Sequence, residues 1–217
     1  MTTSYDVWSN AQIDVETARA SVQQITGITK ASPAVVTYVG TDPANGDFIH
    51  LKDLVGMVEL NDQVLRVANV NAGGNTLELE GVDSTLFQTF TAGSMQVLTF
   101  GVSMTTVQDV NSGGGDFQFA DLTTIHDTLQ KRIPTTASPF TMTLGCLFNP
   151  ADGAHIELNK ANDSKSVRAV KVRWASGHKA SWLAYVGASG IPTGQAQGVV
   201  KTNVNFEGQG KPRFYAS

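Results

Sequence analysis

A chain of 217 residues with 41% hydrophobic but only 16% charged residues, 21 Gly and one Cys reads as a folded, turn-rich protein, not a disordered tail or a coiled coil. Nineteen acids against fifteen bases leave a net charge of -4, which excludes a polycation built to hold nucleic acid, and a single Cys excludes an internal disulfide. The opening MTTSYDVWSN lacks the basic flank and apolar stretch of a secretory signal, and runs such as Ala34 to Val39 fall far short of the ~20 residues that cross a bilayer. Neither export by that route nor membrane insertion is expected.

The first 26 residues, with VWSNAQIDVETARASVQQITGI, mix strand and helix signals and read as strand. From Gly27 to Phe100 come short alternating or β-branched runs (AVVTYV, DFIHLKDL, QVLRVANV, TLELEGV, MQVLTF) broken at Asn45-Gly46, Ala72 to Asn75 and Ala92-Gly93. Such breaks favour hairpins, because Gly and Asn adopt positive φ readily, so 27–100 reads as a small all-β module. It holds eight acids and three bases, whereas Gly101 to Ser217 holds eleven bases and eight acids. That reversal of charge marks a second unit, formed by 1–26 and 101–217 around the insertion.

In the second unit VSMTTVQDV reads as a strand before the Gly113-Gly114-Gly115 break. The segment DLTTIHDTLQKRI then predicts an amphipathic helix: Asp121 as N-cap, Leu122, Ile125, Leu129 and Ile133 on one stripe, Lys131-Arg132 in the last turn, Pro134 beyond. A second helix is expected from Pro150 to about Asp163, capped by Asn149. SVRAVKVRW, ASWLAYVGA and GVVKTNVNFEG complete the chain as strands. The fold class is therefore mainly β with short helices. No internal repeat or low-complexity tract is visible.

Chemical motifs are sparse. Cys146 lies in the apolar run TMTLGCLF and reads as a buried structural thiol, with no base nearby to hold a thiolate. His50, His126, His155 and His178 stand singly, without zinc-ligand spacing, and His126 and Asp127 are adjacent on the expected helix, where neighbouring side chains diverge. SGGGDF lacks the Lys-Ser/Thr of a phosphate loop, and DPANGD lacks the alternating oxygens of a calcium loop. No metal, cofactor or catalytic residue is expected. The basic stretch Lys165, Arg168, Lys171, Arg173 and Lys179 places Lys171 and Arg173 on one strand face, opposite Val170, Val172 and Trp174. A groove for single-stranded nucleic acid would interleave aromatics with the bases on one face, and Trp174 falls on the other.

With no constellation for chemistry, the residues point to surfaces that assemble. The segments VWSNAQIDVETA, GITKASPAVVTYVGTDPANGDFIHLKDLVGMVELNDQVLRVANV, GGDFQFADLTTIHDTLQKRIP and YVGASGIPTGQAQGVVKTNVNFEGQGKPRFYA resemble, in order and spacing, the major tail tube proteins of long-tailed, non-contractile bacteriophages. The resemblance covers nearly the whole chain. The 27–100 module is also similar to the small β-barrel inserted in ubiquitin-activating enzymes, a likeness of fold without the chemistry. The resemblance implies a β-sandwich subunit with flanking helices, six of which form a ring, the rings stacking into a tube. It implies assembly around a tape-measure protein, contact with tail terminator and tail-tip proteins, and passage of double-stranded DNA without specific binding. The place implied is the virion tail, after synthesis in the host cytoplasm.

On that resemblance, axial ring contacts are expected at Tyr5, Val7 and Trp8 and at the loop Asn111, Gly113, Gly114, Gly115, and lateral contacts at Val204, Phe206, Phe214 and Tyr215. A conduit for DNA should not present bare cations, so Lys171 and Arg173 are expected to meet carboxylates of the same or a neighbouring subunit. The rival class is a carbohydrate- or receptor-binding β module. It would need a platform of exposed aromatics, which Trp8, Trp174 and Trp182 would have to supply.

Overall fold

The computed structural model describes residues 5–188 and 190–216. Alternating and β-branched runs become β1 (Gln12–Arg19), β2 (Gln23–Ile28), β3 (Ala34–Val39), β4 (Phe48–Val55), β5 (Gln63–Asn71), β6 (Thr76–Leu79) and β7 (Ala92–Ser103). There follow β8 (Val107–Gly113), β9 (Phe117–Asp121), β10 (Arg132–Ala137), β11 (Thr141–Leu147), α1 (Gly153–Ser164), β12 (Val167–Arg173), β13 (Lys179–Ala188) and β14 (Lys201–Tyr215). The protein is mainly β, and α1 is the one α-helix among the described residues.

Twelve strands form one hydrogen-bonded sheet in the order β2-β3-β6-β5-β4-β7-β1-β12-β13-β14-β11-β8. A further pairing of β2 with β7 closes the first six into a barrel. The other strands make a curved body whose sheet ends at β8, bonded only to β11. In the body β1, β12, β13, β14, β11 and β8 are hydrogen-bonded in one continuous series. α1 packs on β13, β1 and β7.

β7 belongs to both regions. Its first half pairs with β2 and β4 in the barrel, and its second half pairs with β1 in the body. Gly93, read from sequence as a break, lies inside this strand, where a Cβ would come within 2.3 Å of a Leu54 methyl, so the glycine serves close packing. The barrel interior is filled by Ile25, Tyr38, Ile49, Leu51, Leu65, Leu77, Leu79 and Met95. The body core gathers Val15, Leu144, Cys146, Leu158, Val170, Trp182 and Phe206. A third cluster spans the two: Phe48, Val64 and Leu98 from the barrel meet Ala169, Leu183 and Tyr215 from the body.

One expected helix forms and one does not. α1 starts at Gly153, three residues later than expected, because Asn149 uses its side chain to receive the Ala151 N–H and its carbonyl to receive that of Asp152, making a turn of Pro150 and Ala151. It buries Ala154, His155, Leu158 and Ala161. The 121–133 segment is not helical: it is the tip of the β9–β10 hairpin, a two-stranded sheet apart from the main one. Asp121 does cap, receiving the Thr123 N–H at 2.7 Å, but a second turn centred on Thr124 and Asp127 follows, and the Leu122 N–H reaches Lys131 across the tip. Short Asp and Thr side chains that bond neighbouring backbone compete with a helix, and a helix this short needs a packed face to persist.

Candidate assembly surfaces

The hairpin carries a series of exposed apolar side chains. Phe117, Phe119, Leu122, Ile125, Leu129 and Ile133 are all exposed, Ile125 to 97%. Monomeric proteins rarely leave so many large apolar side chains of one short element in water, and such exposure points to an interaction surface. From sequence Leu122, Ile125, Leu129 and Ile133 form the apolar stripe of a helix; in the structure they stand in water on a hairpin. At the base, Gly114 has φ of 78° and a Cβ there would stand 2.0 Å from the Pro139 carbonyl, so no other residue fits that turn. Asn111, Gly113, Gly114 and Gly115 are exposed at the point where β8 passes into the hairpin.

β8 is the free edge of the body sheet, with its side chains exposed or half-buried along its length. An edge strand with unpaired N–H and C=O groups is a template for another chain. Beside its start, a cleft of about 490 Å³ is lined by Trp8, Ile13, Met104, Val107 and Val110.

The amino-terminal arm folds back on its own chain. Trp8 stacks on Trp174 with ring centroids 5.7 Å apart, and Asp6 pairs with His178 at 2.8 Å and receives the Ser176 hydroxyl. Those hydrogen bonds, Ser176 first, hold the Asp6 carboxyl below its ordinary range. Tyr5, Val7 and Trp8 nonetheless remain exposed. Trp182 is buried against Phe140 and Trp174 is half-buried, so the three tryptophans make no common platform.

The four residues expected at a lateral contact separate. Val204 and Phe206 point into the body core, and Tyr215 is buried between the two regions. The correction follows from the alternation of β14, whose inward positions from Thr202 to Gly208 include both residues. Phe214 alone of the four is open to a neighbour, at 72% exposure.

The expected ion pairs also divide. Lys171 meets Asp14 at 3.1 Å within the same chain and lies over the Phe100 ring at 4.6 Å. Arg173 is exposed and donates to the side-chain oxygen of Gln12, an amide and not a carboxylate.

The seam between barrel and body was not visible in the sequence. Ser181 Oγ donates to the Val64 carbonyl at 3.1 Å, the Arg66 N–H donates to the Tyr215 hydroxyl at 3.0 Å, and Arg213 Nε donates to Gln63 at 2.7 Å. Gly210, with φ of 81°, brings β14 so close that a Cβ would stand 2.6 Å from the Asp62 carbonyl. Glu16 is fully buried and holds Arg19 through both oxygens, while Arg19 also bonds the Val167 carbonyl and lies 3.3 Å from His50 Nδ1. His50 sits 3.4 Å from Asp62, and burial, helped by the Arg19 charge, pushes its pKa down.

Elsewhere, burial raises the Cys146 thiol to about 11, the behaviour of a structural residue. Among the described residues no cluster of His, Cys, Asp and Glu could hold a metal ion, and no helix is long and apolar enough to cross a membrane. Comparison with curated proteins finds no relative. The family model for the phage tail tube protein, TTP, matches residues 55–217, from the last residue of β4 through the hairpin to the end of β14. Three quarters of the chain, including every element from β7 onward, thus fit one family, and the chain belongs to the phage tail tube proteins, structural components of a virion tail.

Proposed function

We propose that six copies of this chain close into a ring, and that rings stack into a hollow tube which forms around a tape-measure protein and conducts the DNA genome into the host. Tail terminator and tail-tip proteins would meet its two ends. The observation that carries the reading is the β9–β10 hairpin, a projecting element with six large apolar side chains in water inside a chain of a self-assembling family. The free edge of β8 supports lateral closure, since strands shared around a ring leave no edge exposed. Head-to-tail contacts that repeat along an axis give filaments.

In this reading the hairpin, its glycine base at 113–115 and the arm at Tyr5, Val7 and Trp8 make axial contacts. Phe214 and the β8 edge make lateral ones. Residues 27–100 form a module carried on the wall, akin in shape to the small barrel of ubiquitin-activating enzymes, and the protein has no enzymatic role. Negative-stain electron microscopy over a concentration series, with light scattering for mass, tests the proposal. Six-fold rings or hollow tubes are expected. A monomer at every concentration, and still a monomer beside a co-expressed tape-measure protein, would reject it.

A further inference from the structure

Lys171 and Arg173 are satisfied within the chain, but another cation of the same strand is not. Arg168 lies on β12 at the floor of a cleft of about 530 Å³ between barrel and body, with its side chain four-fifths buried. Its Nε is buried without a hydrogen-bond partner, and its Nη1 stands 4.0 Å from Glu16 Oε1, beyond hydrogen-bonding distance. Glu16 gives its closest contacts to other donors. One Glu16 oxygen is taken by Arg19 Nε, the other by Arg19 Nη2 and by the Ala169 N–H at 2.6 Å.

Two guanidinium groups therefore share one buried carboxylate, and a third cation, Lys52, stands at the cleft wall with Asp53 at 3.6 Å as its partner. A guanidinium presents five donors in a planar fork matched to carboxylate and other oxyanions, and a partly desolvated one without acceptors gains from any such ligand. His50, on the same wall, faces Arg19 and Asp62 and adds no positive charge while neutral.

We propose that this cleft is an oxyanion site, and that in the assembled tube its ligand is a carboxylate on the barrel of a neighbouring copy. The charge distribution argues for that source. The barrel-forming stretch 27–100 carries eight acids to three bases, with Asp42, Asp53 and Asp83 exposed, whereas 101–217 is net basic. This second half of the proposal rests on the tube reading; the site itself does not.

Inorganic sulfate is the probe. It is titrated against chloride at constant ionic strength into subunit that light scattering reports as monomeric, and the arginine Nε–H resonances are followed by NMR. A saturable shift of the Arg168 and Arg19 signals is expected; followed through Arg19 in the variants, the affinity is about tenfold weaker or lost in Arg168→Gln and reduced less in Arg168→Lys, which keeps the charge without the fork, while all three proteins unfold at similar temperature. No saturable shift, or an equal response of the remaining resonances in Arg168→Gln, overturns the site. In the second arm, tubes of Arg168→Gln are expected to dissociate at lower salt than the native ones. Sulfate binding with unchanged salt resistance would overturn the neighbouring copy as the source and leave a free anion. Sulfate binding in a protein that never forms tubes would refute the tube reading and leave the site standing.

Discussion

The barrel seam and the β9–β10 hairpin treat large apolar side chains in opposite ways. At the seam, apolar side chains are enclosed and donors such as Ser181 Oγ and Arg213 Nε find acceptors on the other side. On the hairpin, every large apolar side chain faces water and polar side chains such as Asp121, Asp127 and Thr135 bond within the hairpin itself. The first region is complete in one copy; on the proposed reading the second is completed by a neighbouring copy. Folding and assembly would then be written in separate parts of this chain, and substitutions should separate them too.

The largest effect is expected from Ile125→Asp combined with Leu129→Asp. Assembly is abolished in electron micrographs while the unfolding midpoint of the subunit stays within about 0.5 kcal/mol of native, since both side chains already stand in water. A parallel loss of subunit stability would erase the contrast. Conversely Phe206→Ala, at a fully buried body position, should cost about 3–5 kcal/mol in urea unfolding. A negligible loss would put Phe206 back among the surface contacts.

Ser181→Ala sharpens the seam. It leaves the buried Val64 carbonyl with one donor fewer and should cost roughly 1–2 kcal/mol, read in the same unfolding series. The smallest effect is a pH dependence at His50. Its folded pKa lies below the ordinary 6.5, so the native state binds fewer protons than the unfolded one, and the stability contribution is fully present above 6.5. It is lost as pH falls from there through the folded value, because an imidazolium would be buried away from water and would face the Arg19 guanidinium. A His50→Gln variant should flatten that slope, and an unchanged slope would assign the pH response elsewhere.

These regions also differ in how far the sequence disclosed them. The strands were legible because burial on one face imposes a two-residue period, as in AVVTYV and in SVRAVKVRW. The same period, followed through β14, would have placed Val204 and Phe206 inside. The 121–133 segment misled because its apolar stripe has helical spacing, yet no body surface covers it; the stripe encodes contact, and spacing alone does not say with what. The seam was hidden for another reason. Arg19 meets His50 across 31 residues and Ser181 meets Val64 across 117, pairings set by topology and carried by no local pattern.

β7 has a mechanical meaning. A 12-residue strand extends about 40 Å, and this one runs unbroken from barrel wall to body wall with partners on both flanks. Barrel and body are thus two loads on one beam, not two beads on a tether. Force applied to either passes into the other as shear across rows of hydrogen bonds, the direction in which a sheet resists most because many bonds must fail together. In an array built by repetition, every barrel would stand at a fixed attitude to its own segment of wall, and a bend in the wall would be displayed on the surface as a regular change in the spacing of the barrels.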